Sequence, residues 1–510
     1  VPGQPEVDIT TGQDYYGNMI TPSTNGARYA WSTAGFFGRI NYDYMGKYLL
    51  EVNARYDGSS KFPSGDQWAL FPSVSAGWRL SEETFMKWAK PVLSDFKVRG
   101  SWGTIGNQDV AANSFLSVMS VNKSSGWVID GKQVPYIGIP SVVSPSLTWE
   151  RVTTIDLGFD ARFFNNELGV SFDWYQRTTS DMHSPGETLP STFGSTTMPK
   201  VNSGELQGRG FELSIDYNKR FACGLGLTAR ATLSKIREKI TKYNNPNKNI
   251  YGNYEGKIIG EIWGYETDRL FQYEDCYQDA DGKWFIDTNK VPSQALYETG
   301  AFKYGPGDVK YKDLDGNGEI TYGEQTLEDH GDLKRIGNTL PNFEYGFSVA
   351  LTYKDFDFST FFQGIGSRDV WAVGQTGIPG FMPGEGWLEH QMDYWTPENT
   401  DAFYPTPTSH SWINNGQNFL RQTRYLQNMS YLRCKNITLG YTVPEKWMKV
   451  ITFTSGRIYV SAENLFEFDH TNIPVDPETT EKAAASNGEY KFGKSYPFMR
   501  SISFGVQLTF

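Results

Sequence analysis

The final stretch of the chain, residues 501–510, reads SISFGVQLTF and has a strict period of two. Small or polar side chains alternate in it with five apolar ones: Ile502, Phe504, Val506, Leu508 and Phe510. Because successive side chains of a strand point to opposite faces, the alternation predicts a strand with one apolar face. About ten residues are also what a tilted strand needs to cross a bilayer. The stretch alone fits a membrane barrel and a soluble β-sandwich equally well.

Repetition upstream favours the barrel. Thirteen alternating segments can be counted, and they start near residues 34, 48, 71, 96, 154, 168, 210, 225, 343, 356, 435, 457 and 501. Tight turns alternate with long connections near residues 104–148, 178–205, 236–341, 365–430 and 467–499. Connections of this length are unusual in a compact sandwich. Outer-membrane barrels combine short periplasmic turns with long extracellular loops, so the sequence predicts an all-β, antiparallel transmembrane barrel.

The face opposite the apolar one carries charges. These are Arg55, Asp57, Asp156, Asp160, Arg162, Glu212, Asp216 and Arg230. In a soluble sandwich they would simply face water. In a barrel such charges line a wet lumen or contact a plug, which agrees with the prediction.

Composition excludes several classes of function. Aromatic residues make up 15% of the 510 residues and there are 52 glycines, as expected for strands with aromatic girdles and glycine-rich turns. A net charge of −11 gives no electrostatic footprint for nucleic acid. The three cysteines are too few and too widely spaced for a disulfide framework. No zinc-protease, phosphate-loop or nucleophile-elbow motif occurs, so we expect no enzyme activity. A soluble or surface glycan-binding or adhesive β protein is the alternative class.

Several blocks in order resemble one known family. They are FGRINYDYMGKYLLEVNARYDGSSKF (37–62), FPSVSAGW (71–78), KVRGSWGTIGNQ (97–108), GDVKYKDLDGNGEIT (307–321), IGNTLPNFEYGF (336–347), YLRCKNITLGYTVP (431–444) and YVSAENLF (459–466). These blocks are similar to the barrel of SusC/RagA-type TonB-linked outer-membrane transporters of Bacteroidota. The resemblance implies a barrel of about 22 strands around an N-terminal plug. It also implies a SusD-like lipoprotein lid, energy from TonB–ExbB–ExbD, and import of oligosaccharides or, in the RagA type, peptides.

The domain organisation follows from the resemblance and the strand count. We expect residues 1–33 to form an extracellular loop or linker and residues 34–510 to form the C-terminal portion of the barrel, without the N-terminal plug or a TonB box. An odd number of strands would place the two ends of the chain on opposite sides of the membrane. A second polypeptide or an upstream stretch is therefore expected to complete the wall, because bilayers do not tolerate open strand edges.

Tryptophans outside the predicted strands are candidates for ligand contact. They are Trp127, Trp263, Trp284, Trp371, Trp387, Trp395 and Trp412. A flat indole ring can stack on the apolar face of a sugar. The alternative for each one is packing inside a folded loop or against the lid.

One loop has the spacing of a calcium site. The stretch DLDGNGEITYGE (313–324) places Asp313, Asp315, Asn317, Glu319 and Glu324 at positions 1, 3, 5, 7 and 12 of such a loop, with a glycine at position 6. These oxygen ligands could wrap one Ca²⁺, with Glu319 contributing its backbone carbonyl. The alternative is ordinary turn chemistry, since DG and NG are strong turn signals. We expect a structural role in stiffening an external loop.

Overall fold

The computed structural model describes residues 30–119, 121–122, 128–129, 131–134, 136–144, 147–187, 190, 192, 198–300, 302–381, 385–407, 417–478, 492–493 and 495–510. One large antiparallel sheet, called the wall here, contains thirteen strands in sequence order. They are β1 Thr33–Tyr44, β2 Tyr48–Ser59, β3 Trp68–Arg79, β4 Leu93–Asn107, β5 Glu150–Phe163, β6 Leu168–Pro185, β7 Lys200–Arg220, β8 Gly226–Lys242, β9 Glu344–Tyr353, β10 Phe356–Ile365, β11 Leu426–Val443, β12 Ser455–Glu463 and β13 Ser501–Thr509. The predicted antiparallel all-β fold is confirmed.

Each wall strand pairs with its neighbour along the chain. The register of β1 and β2 runs from Thr33 opposite Ser59 to Tyr44 opposite Tyr48, so a three-residue turn joins them. In that turn Met45 and Gly46 have φ values of 56° and 66°, a conformation that glycine adopts without steric cost. Short strands at Asp369–Trp371 and Glu467–His470 add to the edge of β11.

The two faces of the wall differ in chemistry. On the apolar face, side chains are widely exposed, for example Ile40 at 71% and Phe504 at 85%. A soluble protein rarely exposes a contiguous apolar surface of this extent, whereas a barrel wall presents one to lipid. The other face carries charged and small side chains. The fold therefore has the outward apolar and inward polar alternation of a membrane barrel.

The long connections carry most of the protein's buried core. A cluster that includes Phe271, Tyr304, Val309 and Tyr311, each fully buried, is built from residues 250–333 and 378–425. Small strands in the connections lie at Val121–Asn122, Val128–Ile129, Lys132–Gln133, Tyr136–Ile137, Glu261–Tyr265, Thr267–Leu270, Cys276–Gln278, Trp284–Ile286, Val309–Tyr311 and Leu333–Asn338. We call the described residues within 243–343 and 366–425 the loop body.

In the part of the chain that the structure describes, helical structure is limited to short segments. Helix α1 spans Glu445–Val450. Single 3₁₀ turns lie at Leu80–Glu82, Thr84–Ala89, Tyr273–Asp275, Ala295–Tyr297, Glu389–Gln391 and Gln417–Phe419. Within the described ranges, no helix has the length and apolar character needed to cross a membrane.

Candidate functional site

An ionic network covers the inner face of strands β4, β5 and β6. Arg99 donates from Nη2 to Asp173 Oδ2 at 2.7 Å and from Nε to Asp160 Oδ2 at 3.2 Å. Lys97 Nζ lies 3.0 Å from the same oxygen of Asp160. The Ser171 hydroxyl donates to the other oxygen of Asp160 at 2.6 Å. Because these side chains come from three adjacent strands in register, the network holds a polar surface on the lumen side.

Further ion pairs extend this surface around the wall. Arg162 pairs with Asp216, and Arg457 donates from Nε to Asp357 Oδ1 at 2.9 Å. A shallow cavity of about 610 Å³ on the same face has Asp173, Glu212 and Arg230 among its lining residues. Asp160, Arg162 and Asp216 are three of the inner-face charges that the sequence predicted. Arg99, Asp173, Asp357 and Arg457 were missed, although the same alternation places them on this face.

The loop body joins two connections that are distant in sequence. The hydroxyl of Tyr304 donates to the backbone carbonyl of Gln417 at 3.3 Å. The backbone N–H of Val309 donates to Asn418 Oδ1 at 2.8 Å. Gln417 and Asn418 are both buried. Since buried polar groups are costly unless they are hydrogen-bonded, these contacts fix the two connections against each other.

Asp308 is a buried carboxyl group of the loop body. Its two oxygens accept hydrogen bonds from Asn418 Nδ2 at 2.6 Å and from the backbone N–H of Gly305 at 2.9 Å. Burial raises the pKa of Asp308 to about 7, although both hydrogen bonds oppose this rise. The loop body therefore contains a carboxyl group that titrates close to neutral pH.

The candidate tryptophans fall into three groups. Trp263 and Trp395 are 7% and 5% exposed, and both belong to the core of the loop body. Trp284, Trp371 and Trp387 are half-buried, and Trp284 and Trp371 pack against the same core. Trp127 and Trp412 lie outside the described residues. The structure thus leaves three of these tryptophans partly exposed.

Two aspartates of the predicted calcium loop lie close to a third carboxylate from outside it. Asp313, Asp315 and Asp332 each place an oxygen within 4.8 Å of the other two. Asp332 is fully buried and accepts from the backbone N–H groups of Leu314 at 2.6 Å and Thr321 at 2.7 Å. Asp332 was missed because it lies eight residues beyond Glu324, outside the twelve-residue pattern.

The other predicted ligands surround this group in different ways. Asn317 Nδ2 donates to Asp315 Oδ2 at 3.1 Å, and Asn317 Oδ1 accepts from the backbone N–H of Glu319 at 2.7 Å. Gly318, at the sharp-turn position, has a φ of 85°. Glu319 and Glu324 are exposed and lie outside the three-carboxylate group.

Comparison with known proteins places the chain in a family. The family model described as "TonB dependent receptor-like, beta-barrel" matches residues 3–465. TonB-dependent receptor P3 of Formosa agariphila is 29% identical over 497 residues, which cover 93% of this chain and 45% of the relative. TonB-dependent receptor SusC of Bacteroides thetaiotaomicron is 26% identical over 492 residues, covering 93% and 43%. The chain spans about half the length of the curated relatives it matches.

The fold of this chain is also similar to that of a solved structure. The structure of the RagAB peptide transporter superposes with a TM-score of 0.69 at 22% sequence identity, covering 94% of this chain and 48% of that one. It supports the fold. The resemblance found in the sequence blocks is confirmed, and the alternative of a soluble glycan-binding protein is not supported. This chain belongs to the TonB-dependent receptor-like β-barrel family, and its place is the outer membrane.

Proposed function

We propose that the chain forms part of the barrel of an active importer of oligosaccharides, energised through TonB and covered by a SusD-like surface lipoprotein. The loop body is the observation that carries this proposal. A bare pore needs no second hydrophobic core outside the membrane, whereas a partner that docks on the barrel needs a rigid surface. Sequence similarity to the relative named SusC supports the proposal of this transporter type.

The docking of a lipoprotein can be tested by purification. The native protein should leave the membrane in mild detergent together with one surface lipoprotein. A variant in which Asn418→Ala removes a buried link between the two connections should lose that partner while the wall still shows the gel mobility of a folded barrel. If the wild-type barrel is purified without a lipoprotein, the result would count against the proposed lipoprotein partner.

The cargo is proposed from the accessible tryptophans. Trp284, Trp371 and Trp387 remain half-buried in the extracellular part, where a ring face can stack on a sugar. Trp387→Ala should weaken glycan binding about tenfold, which corresponds to about 1.4 kcal/mol. Trp395→Phe is the control, because Trp395 is buried. A peptide importer is the second candidate, supported by the structural similarity to RagAB.

Strands outside this chain are proposed to complete the barrel. β1 and β13 are the two ends of the wall. Because unpaired strand edges are not tolerated in lipid, we propose that further strands and a plug pair with these edges. The greater length of the relatives is consistent with this proposal.

A structural calcium ion is proposed for the loop at residues 313–332. Calcium prefers several hard oxygen ligands, and three converging carboxylates meet that preference. Asp332 is buried beside two other acids, so a cation would relieve their mutual repulsion. We propose Asp332 as a ligand in place of Glu324, because Asp332 lies with Asp313 and Asp315. The expected effect is a stiffer loop body.

A further inference from the structure

Two connections at the periplasmic end of the wall are longer than the tight turns beside them. We call them the rim segments: residues 80–92, between β3 and β4, and residues 444–454, between β11 and β12. The other connections on that side are short, such as Lys354–Asp355 between β9 and β10. Because short connections mark the periplasmic side of an outer-membrane barrel, both rim segments lie on that side.

The first rim segment is fastened to the lipid-facing side of the wall. Glu83 accepts hydrogen bonds from the Tyr48 hydroxyl at 2.8 Å, Trp78 Nε1 at 3.2 Å and Lys47 Nζ at 3.3 Å. Tyr48 and Trp78 are on the apolar face, and their rings stack with centroids 6.2 Å apart. Hydrogen bonds to these two residues hold Glu83 on the lipid-facing side of the wall.

This segment then turns apolar side chains away from the wall. Phe85 is 58% exposed and Trp88 is 80% exposed. In the 3₁₀ turn Thr84–Ala89, side chains three residues apart eclipse each other, so these two rings lie on the same face. Lys87 and Lys90 are exposed beside them. The combination of large aromatic rings and lysines is typical of a segment that lies at a membrane interface.

The second rim segment has the same arrangement in helix α1. Met448 is 3% exposed, and its Sδ and Cε lie 2.7 Å from where a Cβ on Gly456 would be. Gly456 pairs with Leu508 on the apolar face, so α1 also sits on the lipid-facing side. Trp447, Val450 and Ile451 are 66%, 81% and 52% exposed.

The helical geometry of α1 separates apolar from charged residues. At about 100° per residue, the four apolar side chains of this segment fall within a sector of roughly 160°. Glu445, Lys446 and Lys449 occupy the remaining arc. Of the apolar residues, Met448 packs on the wall. Trp447, Val450 and Ile451 are exposed and point away from it.

We propose that both rim segments are interfacial anchors that insert Phe85, Trp88, Trp447, Val450 and Ile451 into the periplasmic phospholipid leaflet of the outer membrane. Their exposed apolar side chains belong to segments that contact the lipid-facing side of the wall. Lysines at their margins match the negative phosphate groups of phospholipids. The anchors do not depend on which cargo the transporter carries.

Spin labels can locate the anchors in the native transporter, reconstituted in phospholipid nanodiscs. Cys223 is exposed, so Cys223→Ser is the background. Labels are then placed by Trp88→Cys and Val450→Cys, with Lys87→Cys and Lys449→Cys as neighbours on the polar faces. We expect labels at 88 and 450 to collide severalfold more with lipid-soluble oxygen than with a water-soluble nickel chelate, and the controls to show the reverse.

Two outcomes would overturn the anchors. Labels at 88 and 450 that are as accessible to the nickel chelate as the two controls would place the segments in water. Labels that neither reagent reaches would mean that protein covers these faces. Unchanged gel mobility of the unheated barrel confirms that each labelled variant is folded.

Discussion

Arg433 and Asp476 form an ion pair in the interior of the protein, with Arg433 Nη2 2.7 Å from Asp476 Oδ1. Their side chains are 2% and 4% exposed. Arg433 also binds Glu478 through Nη1 at 2.7 Å. Because Arg433 is on the inner face of β11 and Asp476 lies in the connection to β13, the pair fastens that connection to the wall.

Loss of this pair should release the connection. Arg433→Met removes the guanidinium that pairs with the buried carboxylate of Asp476, which costs about 3 to 5 kcal/mol. We expect faster proteolysis within residues 471–478 of the folded barrel. Lys449→Met is the control, since the Lys449–Glu445 pair is 71% and 68% exposed and contributes at most about 1 kcal/mol. Equal proteolysis of both variants would show that the buried pair does not hold the connection.

Gly158 is expected to be essential for the ionic network of the wall. A Cβ at this position would contact the carboxylate of Asp173 and lie 3.1 Å from Arg99 Cζ. Gly158→Val should therefore destabilise the barrel by about 1 to 3 kcal/mol, measured from the urea dependence of its gel mobility. Gly38→Val is the matched control on another strand, because nothing lies within 4 Å of its Cβ position. A Gly158 variant as stable as the control would contradict the network's geometry.

The stability of the loop body should depend on pH through Asp308. Its pKa of about 7 when folded exceeds the value of about 4 in an unfolded chain, so the folded state binds the proton more tightly. Stability is therefore greatest below about pH 4 and falls until about pH 7, by at most about 4 kcal/mol. Hydrogen exchange of the loop body, corrected for intrinsic rates, measures this. Asp308→Asn should remove the pH dependence. An unchanged pH profile in that variant would rule out Asp308 as its cause.

Calcium binding distinguishes the ligand set of the structure from that of the sequence pattern. Asp332→Asn should lower calcium affinity at least tenfold in titration calorimetry, about 1.4 kcal/mol or more. Glu324→Gln should change it little, because Glu324 lies outside the three-carboxylate group. A larger loss of affinity in Glu324→Gln than in Asp332→Asn would instead support the ligands of the twelve-residue pattern. Wild-type protein that binds no calcium at millimolar concentration would remove the site altogether.

The sequence predicts the wall well because the lipid face imposes strict alternation. Each of the thirteen strands has a run of apolar side chains at every second position, and the structure contains a strand at each predicted place. Strand lengths are less predictable. β7 begins at Lys200, about ten residues before its apolar alternation starts, because its upper part lies beyond the apolar band. There the polar residues carry no periodic signal.

The core of the loop body and the full three-carboxylate group could not be predicted from the sequence. Gln294, Asn418 and Gln422 are fully buried although they are polar, because each one hydrogen-bonds to segments that are remote in sequence. No local pattern indicates such partners. Asp332 joins Asp313 and Asp315 only after the loop has folded back on itself.

Nutrient uptake by a strain that lacks the gene decides the proposed function. The strain is grown on single glycans and on peptides as nutrient sources, with the gene restored in backgrounds with and without TonB. We expect growth on one class of glycan to be lost and to return only when both the gene and TonB are present. Unchanged growth on every glycan, together with lost growth on peptides, would contradict oligosaccharide import and establish the peptide alternative.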